Sequence, residues 1–181
     1  KTLTIRKQAD GWFTCFSCEV EPNLLPSTGK VVGVDVGLEN FAITSDGEFF
    51  PPIKDLRKSE KKIKRAQREI ARRKKSSKRR KKSVWRLKRA HLRVANKRRD
   101  THHKVARKLI EKYDLIAIEE LSPSNMVKNH HLAKSISDAG WSSFSLILAA
   151  KAEEAGRKVI KVDPKFTSQV CSNCGSIVKK T

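Results

Sequence analysis

Val31-Val32-Gly33-Val34-Asp35-Val36-Gly37 is the stretch that decides the fold. Its β-branched residues suit a pleated backbone, and the run is too apolar for a strand with one wet face. It therefore predicts a central strand buried on both sides. Asp35 stands in the middle of that run, between Gly33 and Gly37. A charge inside a buried strand costs several kcal/mol unless something compensates it, and a metal ion is the usual compensation. Glycine on either side lets another backbone or a phosphodiester come close. Phe41-Ala42-Ile43-Thr44 and Phe49-Phe50 then flank Ser45-Asp46-Gly47-Glu48. That is a hairpin pattern, so three consecutive antiparallel strands are expected over residues 30–53.

Working outward, Leu3-Thr4-Ile5 and Trp12-Phe13-Thr14-Cys15-Phe16 flank Asp10-Gly11, a signal for a two-residue hairpin turn. Pro22 to Gly29 has the composition of a linker, which places a boundary there. Downstream, no Gly or Pro occurs from Lys54 to Ser122. Leu56, Ile63 and Ile70, and later Val84, Leu87, His91 and Val94, recur at helical spacing, with a break at Arg98 before Val105 and Leu109. The seam vanishes between Lys74 and Ser83, where Ser76-Ser77 can bend the chain. Two antiparallel helices of roughly 25–30 residues, each about 40 Å long, fit this pattern. Leu115-Ile116-Ala117-Ile118-Glu119 returns to strand, and Ser137 or Asp138 can cap a helix carrying Trp141, Phe144, Leu148, Ala152 and Ala155. Gly156 is placed to end that helix, and a last strand runs from Val159 to Asp163. The order is that of a mixed α/β fold with a parallel component.

Glu119 repeats the device of Asp35 at the end of its own apolar strand. Two carboxylates at the ends of two central strands can hold divalent metals for phosphodiester hydrolysis, and Mg²⁺ suits such all-oxygen ligands. The residues alone leave a plainer alternative open, in which Asp35 begins a turn and Glu119 caps a loop. Glu120 points to the other face of its strand, and Asp163 either lies near the site or merely ends its strand before Pro164.

The formal charge is +22, from 41 Lys and Arg against 19 Asp and Glu. Residues 54–112 hold 28 of those cations and five carboxylates, Asp55, Glu60, Glu69, Asp100 and Glu111. That excess excludes an ordinary small-molecule enzyme and calls for a polyanion, since each cation set on a phosphate releases a counterion. Lys74, Lys75, Lys78, Arg79, Arg80, Lys81 and Lys82 are too dense in one sign for a merely solvated helix face. Together with Arg86, Lys88, Arg89, Arg93, Lys97 and Arg98 they are expected to contact nucleic-acid phosphates, positioning the partner rather than reading its bases. Trp85 is expected to pack between the helices, with stacking on a base as the alternative, and His91 to pack in the seam; His102, His103, His130 and His131 are expected at the polar surface or on phosphates. No stretch approaches the length of a membrane span, the basic region is poor in bulky apolar residues, and no secretory signal opens the chain. A cytoplasmic setting follows, in which four Cys point to metal or free thiols. Cys171-x-x-Cys174-Gly175 has the form of a zinc knuckle but is half of a tetrahedral site. Cys15 and Cys18 share the spacing but fall in a strand pattern, so they are expected to be ordinary strand residues.

Gly33-Val34-Asp35-Val36-Gly37-Leu38 with Phe41-Ala42 resembles the first RuvC motif of the transposon-encoded OrfB/TnpB proteins, relatives of the type V CRISPR effectors. Ile118-Glu119-Glu120-Leu121 resembles the second motif. Residues 125–136, through Gly140-Trp141, are similar to the segment that follows it, and residues 167–175 to the opening of the family's zinc ribbon. The resemblance implies an RNase H-like (RuvC) α/β core with a mixed sheet, a long basic helical hairpin insert and a partial zinc ribbon. It implies an RNA-guided DNA endonuclease whose partners are a guide RNA and DNA, the hairpin contacting the guide RNA or the heteroduplex, whose A-form shape is recognised instead of its bases. Asp35 and Glu119 would be two of three carboxylates binding two Mg²⁺ ions, with the third expected beyond Thr181. Zn²⁺ at Cys171 and Cys174 would need a second Cys pair. On this pattern residues 1–29 are the end of a wedge-type barrel and its linker, and residues 30–53 the first part of the RuvC core. Residues 54–113 are the hairpin, 114–166 the second part of the core, and 167–181 the start of the ribbon. The chain then reads as a piece of something longer, inactive by itself. The alternatives are a non-catalytic nucleic-acid-binding remnant with a regulatory role, and a transposase that joins DNA strands itself.

Overall fold

The computed structural model describes residues 2–163; the zinc-knuckle residues Cys171 and Cys174 lie outside the described residues. The chain opens with β1 (Leu3–Lys7) and β2 (Trp12–Phe16), paired antiparallel with Lys7 opposite Trp12. The connection is four residues, not the two that Asp10-Gly11 signals, and the Gln8 amide donates across it to the Gly11 carbonyl at 2.8 Å. Cys15 lies in β2 and Cys18 beyond its end, both exposed and both free thiols. The linker that follows is tied down at its far end. Asp114 accepts from the Thr28 and Gly29 amides at 2.9 and 2.7 Å and pairs with buried Arg157 at 2.6 Å. Arg157 also donates to the Pro26 carbonyl at 2.7 Å.

β3 (Val31–Asp35), β4 (Ala42–Thr44) and β5 (Phe49–Phe50) form the expected antiparallel meander. Gly47, at φ +87°, makes the turn between β4 and β5, and the Thr44 amide donates to the Glu48 carbonyl at 3.0 Å. β6 (Leu115–Glu119) and β7 (Lys158–Val162) then add in parallel to the other side of β3, giving a mixed sheet of order β5-β4-β3-β6-β7. β3 is central, but it is buried on one face only. Val32 and Val34 pack inward with Ile116 and Ile118 of β6, while Val31 is 65% exposed and Asp35 is exposed at the end of the strand. That second face also carries exposed Phe49 and Ile160. The apolar run on β3 thus reflects two chemically similar faces, of which the described helices cover one.

Between β5 and β6 lie α1 (Asp55–Ala71) and α2 (Lys78–Lys112), of 17 and 35 residues. Their lengths differ from two equal helices of 25–30 residues. At 1.5 Å per residue α2 is about 52 Å long, twice α1. The seam fades between Lys74 and Ser83 because α1 ends at Ala71 and the turn and the largely exposed first residues of α2 follow. The turn does fall at Ser76-Ser77: Ser76 takes φ +67°, and the Ser77 hydroxyl accepts from the Arg80 amide. The buried stripe of α2 runs through Ser83, Val94, His102, Val105 and Leu109, so the helix continues through Arg98 without interruption. This phase puts His102 in the core and leaves His91 and Trp85 exposed, the reverse of the spacing argument, because Ser83 and His102 hold seam positions that a hydrophobic pattern does not count.

α3 (Pro123–Met126), α4 (Ala133–Ala139) and α5 (Trp141–Glu154) lead to β7. Ser137 and Asp138 do not cap α5; they lie inside α4, and Gly140 at φ +65° separates the two helices. Buried Asp138 instead accepts the Leu56 amide at 3.0 Å, serving the first turn of α1, where Lys54 offers no side-chain cap. Arg98 donates to the Ser137 carbonyl at 2.8 Å and Lys134 pairs with Glu60 at 2.7 Å. α4 therefore fixes the root of the hairpin. The core lies between one sheet face, the inner part of α2 and α5, with Phe41, Leu109, Ile116, Phe144 and Leu148 at its centre.

Candidate functional site

The parallel register of β3 and β6 matches Val31 with Leu115, Gly33 with Ala117 and Val34 with Ile118. One step further along both strands stand Asp35 and Glu119. In-register residues on parallel neighbours point to the same face, and adjacent strands lie ~4.8 Å apart. The two carboxylates are thus side by side at the carboxyl ends of the central strands, where ligands of open α/β sheets bind. By strand alternation both stand on the face opposite core residues Val34 and Ile118, and Glu119 also borders a cleft against α5. Exposed Asp35 carries no burial cost of its own, so the case for a ligand at this point rests on the register, not on a charge trapped in the core.

Beside Glu119 a cleft of about 230 Å³ opens between the end of β6 and the first turns of α5, lined by Glu120, Trp141, Ser142, Ser145 and Lys161 among others. Glu120 pairs with Lys161 at 3.5 Å, on the opposite side of the strand from Glu119 by alternation. Asp163 follows β7 one residue past the partner of Glu119, out of phase with the carboxylate pair. Among the described residues no three His, Cys, Asp or Glu side chains come together to hold a metal, so Asp35 and Glu119 can be two ligands of a larger set and no more.

The hairpin carries the charge. Lys74, Lys75, Lys78, Arg79, Lys81 and Lys82 are all exposed, at or just after the turn, as are Arg86, Lys88, Arg93 and Lys97 on the shaft. Arg80 and Arg89 are half-buried. Arg98 is spent on the α4 contact, and a Cβ on Gly140 would meet it at 3.1 Å, so it is a structural residue first. The turn is held by Glu69, which accepts from the buried Ser83 hydroxyl at 3.2 Å and pairs with Arg73 at 3.5 Å and Arg86 at 3.9 Å. Near the root, Lys134 first and then Lys64 lower the Glu60 carboxyl to about 2. Lys62 and Arg65 of α1 join the basic surface opposite Arg86 and Arg89, a grouping that the sequence positions on α2 do not reveal. No helix among the described residues is long and apolar enough to cross a membrane.

An α/β core with a carboxylate pair at its strand ends and a basic hairpin defines a class of nucleic-acid-processing protein. Residues 15–130 match the family model OrfB_IS605, described as a probable transposase, and residues 141–181 match the Cas12f1-like TNB domain. The chain belongs to the OrfB/IS605 transposase family. It is 33% identical over 178 residues to a Streptomyces pristinaespiralis protein named "Putative RNA-guided DNA endonuclease", covering 97% of this chain and 44% of the relative. It is 32% identical over 196 residues to InsQ of Escherichia coli (strain K12), of the same description, covering 99% of this chain and 49% of that protein. The chain therefore spans about half the length of these relatives. Among solved structures it is similar to Cas12f1 in a complex with single-guide RNA and target DNA, with a TM-score of 0.54 at 15% identity over 97% of this chain and 45% of that one. That likeness is one of fold, a mixed α/β architecture.

Proposed function

We propose that this chain is the RNase H-like (RuvC) core of an RNA-guided DNA endonuclease that cuts phosphodiesters with two divalent ions. The observation that supports this reading is the parallel register of β3 and β6, whose last matched pair, Val34 and Ile118, is followed on each strand by a carboxylate, Asp35 and Glu119. Their oxygen-only donor set fits a hard cation such as Mg²⁺, with the remaining ligand drawn from outside the described residues. Bound there, the ions supply Lewis-acid activation of water and charge stabilisation on the leaving oxygen. The chain's own residues do the rest. Asp35 and Glu119 orient the site, the open sheet face receives the backbone, and the exposed cations of α2 hold guide RNA and DNA by their phosphates. Cys171 and Cys174 would supply half of a structural Zn²⁺ site, to be completed by a second Cys pair.

The family membership and the RNA-guided endonuclease names of the relatives support this reading. In the longest reading frame that contains this chain, Asp35→Ala should abolish Mg²⁺-dependent cleavage of guided target DNA while RNA binding persists. Undiminished cutting by that variant would sink the site assignment. Nucleic-acid binding without cleavage by the parent protein would favour a non-catalytic regulatory remnant instead, and strand-transfer products a transposase.

A further inference from the structure

We propose that Trp85 is a stacking platform for an unpaired base of a single-stranded polynucleotide, with cations of both hairpin helices gripping the flanking phosphates. The inference rests on the hairpin being a nucleic-acid-binding element and adds which form of nucleic acid its outer half takes and through which residue. Trp85 is 47% exposed, although the buried seam of the hairpin, through Ile63, Ser83 and Val94, lies within reach of α2. A large aromatic left off an available seam is the feature to explain.

The indole forms part of two clefts. One, of about 380 Å³, lies between α1 and α2 and is lined by Lys62, Arg65, Arg86, Arg89 and Arg93 together with Trp85. The other, of about 420 Å³, is bounded by Ser76, Arg80, Lys81, Val84 and Lys88 at the hairpin turn. The Arg89 guanidinium sits 4.7 Å from the ring centroid and lines the first cleft, while the second borders the indole without it. Glu69 is the one carboxylate in either wall, and Arg65, Arg73, Arg86 and Ser83 already engage it. Lys62, Arg89 and Arg93 of the first cleft and Arg80, Lys81 and Lys88 of the second have no carboxylate partner among the described residues. A ring with cations on both flanks matches a nucleotide, whose base offers a π-face and whose neighbouring phosphates offer the anions. A base inside a duplex keeps both faces stacked on its neighbours, so the ligand is a single strand.

The test is fluorescence anisotropy of labelled single-stranded RNA, single-stranded DNA and a blunt duplex with the 181-residue chain, over a salt series. Trp85→Leu keeps an apolar side chain and removes the π-face. It should weaken single-strand binding roughly 5- to 150-fold with an unchanged salt slope, and leave duplex binding as it was. Trp85→Phe should recover most of the loss. Comparing ribose and deoxyribose strands shows which supplies the base. Equal single-strand affinity in parent and Trp85→Leu would overturn the stacking role, and if Lys81→Gln and Lys88→Gln still weakened binding, the hairpin would remain a nucleic-acid-binding element. Absence of salt-dependent binding to all three probes would overturn both.

Discussion

Replacing Asp35 by Asn probes the carboxylate pair without disturbing the core, because Asp35 is exposed at the end of β3. With strands ~4.8 Å apart and a shared face, the two carboxylates stand roughly 5–7 Å from each other. Two like charges at ~6 Å repel by about 0.7 kcal/mol in bulk water and about 2.8 kcal/mol at an effective dielectric of ~20. Exposure favours the lower end, so about 1 kcal/mol of repulsion weakens the metal-free fold. In chelator, Asp35→Asn should therefore melt about 2–4 °C above the parent. Added Mg²⁺ should reverse the order. An ion bound only by the folded state stabilises it by about 1.4 kcal/mol at ~10 times its dissociation constant, and the neutral amide weakens that binding. Differential scanning calorimetry in EDTA and across a MgCl₂ series at matched ionic strength reads both effects. A lower melting temperature for Asp35→Asn in EDTA would show that the side chains do not face each other. Equal Mg²⁺ stabilisation of both proteins would show that the pair does not hold the ion.

His102 lies between Phe41 and Phe144, with ring centroids 5.3 and 5.7 Å away, and its Nε2 is 2.8 Å from the Ala139 carbonyl. Burial first, then Arg98 and His103, hold it below its ordinary value of 6.5, against the pull of that carbonyl. The unfolded chain gains this proton first, so stability should be full above pH 6.5 and fall as pH drops towards the folded value. Urea midpoints that stay flat from about pH 7 down to about pH 5, or a slope that survives His102→Phe, would refute this. Ser76 holds φ +67° without the freedom of glycine. Ser76→Gly should raise stability by up to about 1 kcal/mol, and a lower urea midpoint would show that the serine side chain holds the turn.

The strands, the charged hairpin and the final β7 are legible in the sequence because local chemistry dictates them. β-branched runs, a Gly47 turn and 28 cations without Gly or Pro need no knowledge of the rest of the chain. The parallel component follows from the order of elements, and the family from motifs that match in order. What the sequence left open depends on distant partners. That β3 is wet on one face depends on which side α2 and α5 cover. Asp138 reads as a local helix cap, yet it serves α1 some eighty residues away, because only the folded chain brings the unpaired Leu56 amide to it. His102 and Trp85 exchanged places relative to their hydrophobicity, since the stripe of a long helix is set by what packs on it. Above all, either carboxylate alone could be the start of a turn. Their pairing comes from a strand register closed across the whole hairpin, and the non-local hydrogen bonds of a parallel sheet can be set only in the tertiary structure.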